Sequence, residues 1–259
     1  MENHMQYELQ YYNQQQLWDR YIGNQREYAR AIETIRHIPA DVKTVLDIGC
    51  GNGVLTNIID RDVVVGMDFA DVPLRNVTKH AVCASIEHIP FKPGTFDLIL
   101  VTEVLEHLSE QSYIQAINEI NQLRAKYILI SVPFDENLDI DICKCNECDT
   151  TFHPSHHYRS FPQDWYTRQF LGYDAMMVSY TSMIPTKNTT IAQLKRKFNV
   201  YTDNELVRCP ACGGRAQLSN WWLKYAFKGL TLMDIVIKYM MGVQQKPYHQ
   251  IVLLKNTNL

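Results

Sequence analysis

The stretch Val45-Leu46-Asp47-Ile48-Gly49-Cys50-Gly51-Asn52-Gly53 constrains this chain more than any other, because a buried strand there runs straight into a glycine-rich turn. Glycines at 49, 51 and 53 let the backbone turn tightly and approach a ligand, and Leu55 to Ile59 reads as the start of a helix whose N-terminus faces it. A second apolar run, Val63-Val64-Val65-Gly66-Met67-Asp68, ends in a carboxylate at about the spacing expected for a ribose-hydroxyl acceptor. The pattern is that of a nucleotide-like cofactor met by a strand–turn–strand unit.

Asp47 narrows the choice of ligand. It sets a carboxylate against the turn where a dinucleotide's pyrophosphate would sit, which disfavours a phosphate and suits a cation. The stretch resembles the first motif of class I S-adenosylmethionine (SAM)-dependent methyltransferases, whose ligand carries an ammonium and a sulfonium in place of phosphates. The resemblance continues in order along the chain. Ser85-Ile86-Glu87-His88-Ile89-Pro90-Phe91 followed by Phe96-Asp97-Leu98-Ile99-Leu100 is similar to the family's adenine-contacting loop and fourth strand. Glu103-Val104-Leu105-Glu106-His107-Leu108 is similar to the segment after that strand, Tyr127 to Val132 to strand five, and Tyr173 to Ser182 with His249 to Lys255 to the closing antiparallel pair. The resemblance implies an α/β fold: a seven-stranded, mostly parallel sheet with an N-terminal helical cover and a zinc-bearing insertion. It also implies a SAM site formed by Asp47, Gly49, Gly51, Gly53, Asp68, Phe69, Ser85, Ile86 and Glu103. Ser85 stands where many relatives have Asp, and a hydroxyl accepts less strongly from the adenine amino group.

Five of the seven cysteines fall in two clusters, Cys143-Lys144-Cys145-Asn146-Glu147-Cys148 and Cys209-Pro210-Ala211-Cys212-Gly213-Gly214. Each Cys-x-x-Cys turn places two thiolates on one zinc ion, so Cys145, Cys148, Cys209 and Cys212 form the expected structural Zn2+ set, with Cys143 spare. Redox-active pairs are the competing reading, disfavoured because neither pair has a thioredoxin-like strand-to-helix context. Cys50 and Cys83 read as packing residues. One zinc would join two insertions and help wall the acceptor pocket.

Glu103, Glu106 and His107 share a Glu-x-x-Glu-His spacing at the end of strand four, beside the place where the methyl group is presented. The same spacing occurs in the resembled ubiquinone-pathway O-methyltransferases and small-RNA 2'-O-methyltransferases, where it implies a divalent ion, Mg2+ or Mn2+, with His157 or His156 as a further ligand. In other relatives the segment caps a helix and leaves His107 as a base. Both readings stand, with Glu106, His107 and His157 as the catalytic candidates. The run from Phe152 through His153, His156, His157 and Arg159 to Phe161 resembles bacterial methyltransferases associated with surface-polysaccharide and secondary-metabolite sugars. Its histidines either orient an acceptor or, for His153 and His156, stand on the surface or behind the zinc site.

The expected organisation is a helical cover over 1–40, a methyltransferase core over 41–185 plus 247–259, and insertions at 139–157 and 186–246 forming a zinc-bearing, acceptor-side module. Tyr11, Tyr12 and Trp18 in the cover either border the cofactor or pack on the sheet edge. Residues 219–242 are apolar on more than one face. They read as a buried helix of the insertion or a homodimer contact, with an interfacial or lid helix as the alternative and Gly229 as a break. A net charge of −3 gives no field to gather nucleic acid, and Lys195-Arg196-Lys197 reads as a solvated helix face. The polar start and the lack of a membrane-length apolar run point to the cytoplasm. The function expected is methylation of an oxygen on a small-molecule or sugar-containing metabolite. The alternatives are N- or C-methylation, RNA 2'-O-methylation, and a non-catalytic SAM and zinc adaptor.

Overall fold

The computed structural model describes residues 2–21, 23–186, 188–202, 207–217, 220–242 and 245–258. Parts of the 186–246 insertion, and residue 219 at the head of the apolar stretch, therefore lie outside the described residues. In chain order the elements are α1 (Glu2–Tyr12), α2 (Gln15–Asp19), α3 (Gln25–Ile35), β1 (Thr44–Ile48), β2 (Val63–Asp68), α4 (Asp71–Leu74), β3 (His80–Cys83), β4 (Leu98–Thr102), α5 (Glu110–Gln122) and β5 (Tyr127–Pro133). There follow β6 (Cys143–Lys144), β7 (Thr151–Phe152), β8 (Tyr173–Ile184), α6 (Thr189–Lys197), α7 (Trp221–Met240) and β9 (Lys246–Asn256).

Seven strands form one sheet in the order β3-β2-β1-β4-β5-β9-β8, and β6 pairs with β7 apart from it. The first five sheet strands pair in parallel, while β9 runs antiparallel to both β5 and β8. Because β1, β4 and β5 are buried on both faces, they read as continuous apolar runs. Leu46, Ile48, Ile99, Val101, Ile128 and Ile130 pack toward α5 residues Ala116, Ile117 and Ile120, and Val45, Leu98, Leu100 and Leu129 pack on the opposite side with Ala31 of α3. Strand order reverses between β1 and β4, which opens a crevice at their carboxyl ends.

Three expectations need correction. The helix anticipated over Leu55–Ile59 is a single 3-10 turn, Thr56–Ile58. The connection to β2 is short, and the Thr56 hydroxyl donates to Asp47 at 2.6 Å. Cys83 does not pack: β3 is an edge strand and its thiol is exposed, whereas Cys50 is half-buried in the space that Gly66 leaves on β2. The 221–240 helix is unbroken at Gly229, and Phe227 is its only buried residue, so it is not a buried helix of this chain.

Candidate active site

The crevice holds a cavity of about 620 Å³, lined by residues from β1, β2 and β4 and roofed by the N-terminal helices. Asp47, Gly49, Gly51, Asp68, Phe69, Ser85, Ile86 and Glu103 all border it, as do Tyr11, Tyr12 and Trp18. Gly53 is the exception among the predicted cofactor residues. At φ 78° it shapes the turn, and its missing side chain faces Asn57 and Val77 instead of the cavity. The Asp68 carboxylate accepts from the backbone N–H of Gly51 and of Ala70, both at 2.9 Å, which fixes its place at the end of β2.

The turn and the roof are built together. Trp18 donates from its indole N–H to the Tyr12 carbonyl at 2.6 Å, and its ring lies where a Gly51 Cβ would stand, 2.5 Å from the built position. A side chain at 51 thus meets the tryptophan roof. With φ at +52° it also strains the turn. Gly51→Val is expected to displace Trp18 and weaken SAM binding at least about tenfold. Calorimetry on the folded variant, with Trp18→Ala beside it, checks this; unaltered affinity in both removes the roof from the site.

Burial raises the Asp47 carboxyl to about 7, partly opposed by the Thr56 hydroxyl. A carboxyl raised by folding loses its favourable contribution as pH climbs from the unfolded value, about 4, through the folded one. Asp47→Asn is expected to gain stability relative to wild type from pH of about 4 up to about 7, and to hold that gain above. Thermal midpoints across that range test it, and parallel curves would contradict it.

Beside the cavity, Glu106, His107 and His157 bring one ligand atom each to within 4.8 Å of one another. His107 alone of the three lines the cavity, with its Nδ1 3.2 Å from the Tyr12 hydroxyl. Glu106 is fully buried, and neither carboxylate oxygen has a hydrogen-bond partner among the described residues. Burial, with the Glu103 charge adding to it, pushes its carboxyl well above the usual range. Burial and His157 hold the His107 imidazole down at about 3.

Glu103 does not join the trio. Its Oε1 accepts from the Ser131 hydroxyl at 2.8 Å and lies 3.4 Å from Arg30, and its Oε2 lies 3.1 Å from His249 Nε2. Burial alone would raise this carboxyl, but Arg30 and His249 hold it below the usual range. His156 does not join either: its Nε2 donates to the Arg208 carbonyl at 2.7 Å, and its ring lies against Tyr11. Glu136, which carries no motif signal, accepts from His157 Nδ1 and from the Tyr248 hydroxyl, with His153 3.8 Å away.

Cys145, Cys148, Cys209 and Cys212 converge with all four sulfurs within 4.8 Å of one another. Sulfurs 145 and 212 lie 3.5 Å apart and 148 and 209 lie 3.7 Å apart, close to the roughly 3.8 Å edge of a tetrahedron with metal–sulfur bonds of about 2.3 Å. Gly213, at φ 73°, returns its N–H to the Cys209 carbonyl at 2.8 Å, closing the second turn. Cys143 stays outside the set and donates to the Thr202 carbonyl. Pro154, Ser155 and Val207, from the segments around these turns, line the cavity.

Residues 46–126 match the family model described as a methyltransferase domain. The fold is that of the class I SAM-dependent methyltransferases. A SAM-dependent methyltransferase from Archaeoglobus fulgidus superposes with a TM-score of 0.50 at 14% identity, over 88% of this chain and 92% of that one. One from Thermotoga maritima superposes at 0.52 and 11% identity, over 95% and 97%. An uncharacterised protein of Methanocaldococcus jannaschii is 35% identical over 103 residues, covering 38% of this chain and 44% of its own. A ubiquinone biosynthesis O-methyltransferase of Albidiferax ferrireducens is 32% identical over 93 residues, 30% of this chain and 37% of its own. The matched stretches thus span less than half of those relatives.

Proposed function

We propose that the chain transfers the methyl group of SAM to a hydroxyl oxygen of a small-molecule acceptor. The observation that carries the oxygen is Glu106, fully buried beside His107 and His157 with no hydrogen-bond partner for its carboxylate among the described residues. A carboxylate in that state is costly unless a cation completes it. One carboxylate with two imidazoles suits Mn2+, whereas Mg2+ favours oxygen ligands throughout. A divalent cation held there would supply the charge that lowers the pKa of an acceptor hydroxyl, help that an amine acceptor does not need. The ubiquinone biosynthesis O-methyltransferase relatives support the same acceptor atom.

SAM brings an already activated methyl group, so the chain's work is positioning and exclusion of water. Asp68 would accept from ribose hydroxyls, Asp47 would face the cationic amino-acid end, and Phe69 with Ile86 would give the adenine apolar walls. Tyr12 and Trp18 close the roof. Glu136 accepts a hydrogen bond from Nδ1–H of His157, which would fix the tautomer and leave Nε2 free to hold a cation. We also assign Zn2+ to the four-cysteine cluster, where it would supply the cross-link between the two insertions and so hold the acceptor-side wall.

Labelled methyl transfer from SAM to a panel of phenols, catechols and sugars, after chelation and after Mn2+ is returned, tests the reading. Activity should vanish in chelator and return with Mn2+. Full activity in chelator, or transfer to amines alone, would overturn it.

A further inference from the structure

The α7 helix is amphipathic in the inverse sense: its polar side faces the protein and its apolar side faces outward. Asp234, its only acid, accepts from Asn188 at 3.1 Å and pairs with Lys238 at 2.7 Å, and Lys238 donates to the Thr186 carbonyl at 2.8 Å. These groups seat one end of the helix on the segment that begins α6, and Phe227 packs on Phe198 just past the end of α6. At about 100° per residue, the opposite side is an uncharged arc of roughly 180°. It runs from Tyr239 through Leu232, Val236, Trp222 and Met233 to Leu230. Tyr239 is 81% exposed, Trp222 67% and Leu232 62%.

Such a contiguous apolar face on a soluble surface marks a docking site, and three features choose its occupant. A partner helix covers a stripe of about 100°, much less than this arc, whereas a lipid phase covers all of it. Lys228 lies along one edge of the arc and no carboxylate lies on it, so a second copy would bring lysine against lysine or against apolar surface, while anionic headgroups would meet it. Stacked Trp221 and Trp222 stand at one end and Tyr239 at the other, the amphipathic rings that settle at a lipid–water boundary. No described helix is long and apolar enough to cross a membrane. We propose that α7 lies flat on an anionic lipid surface and docks the protein there by its apolar arc. This stands apart from the methyl-transfer reading.

The test is sedimentation of the full chain with phosphatidylcholine vesicles, with and without phosphatidylglycerol, alongside tryptophan emission compared with that of a Trp221→Phe, Trp222→Phe variant. The protein should partition into the anionic vesicles with a blue shift, and added salt should weaken it. Leu232→Glu with Val236→Glu should lower partitioning at least about tenfold, and Lys228→Glu about fivefold or more. These side chains are exposed, so unchanged far-UV circular dichroism and methyl-transfer activity would confirm that the fold persists. No sedimentation with anionic vesicles, or equal partitioning by the double-glutamate variant, would overturn the proposal. So would a concentration-dependent dimer that the double-glutamate variant dissolves, in the absence of vesicle binding.

Discussion

Glu106→Gln is expected to lower methyl-transfer turnover by about a thousandfold or more while SAM affinity stays within about twofold. The amide keeps the volume of a side chain that is wholly buried, so the packing around the 3-10 turn Leu105–His107 and β5 is retained. What it removes is the negative charge that a cation needs between His107 and His157. Glu106 is not among the residues that border the cavity, whereas Asp68 and Asp47 are, which separates the two readouts. Mn2+ should raise the thermal midpoint of wild type and leave that of the variant in place. Turnover within about tenfold of wild type would remove the carboxylate from the chemistry; His107→Ala then tests the imidazole as a base acting alone.

Cys209→Ser is expected to abolish stoichiometric zinc and to lower the thermal midpoint by about 5 °C or more. The cluster's own core consists of Cys143, Cys145, Phe152, Val207, Cys209 and Ala216. A core that small does not hold two loops together without a cross-link. Loss of the metal should open both loops to protease, and because Pro154, Ser155 and Val207 line the cavity, acceptor KM should rise with it. Cys143→Ser is the control: its thiol bonds the Thr202 carbonyl and should leave zinc content unchanged. Metal-free wild-type protein of undiminished stability would contradict the assignment.

The cofactor side of the crevice was legible because its chemistry is local. A strand, a glycine turn and a carboxylate at the next strand end lie within the residues from Val45 to Asp68, and the later strands follow from the resemblance to the methyltransferase family. The cysteine pairs were legible for the same reason, since a knuckle is complete within a few residues. The acceptor side was read less well because its contacts join distant segments. Glu103 looked equivalent to Glu106 by spacing, but a left-handed backbone at φ 57° and the pull of Arg30, Ser131 and His249 turn it away. Glu136, Tyr248 and Arg30 sit on elements far apart in the chain, and nothing in their immediate neighbours announces a shared site. Tyr12 and Trp18 were recognised as cover residues, but that Trp18 occupies the space above Gly51 follows only from the fold. For α7, composition gave an apolar helix; its outward face depends on Asp234 and Lys238 finding partners next to α6.

Titration calorimetry with SAM and with S-adenosylhomocysteine, on wild type and on Asp68→Ala, tests the central claim most directly. Asp68 accepts from two backbone N–H groups at the cavity edge, so its removal takes away the proposed acceptor for the ribose together with the anchor that holds the Gly51 turn. The expected result is saturable binding of both ligands at one site per chain, each displacing the other, and weakened about tenfold or more in Asp68→Ala. Absence of binding to wild type, or equal affinity in the folded variant, would contradict a SAM site in this crevice.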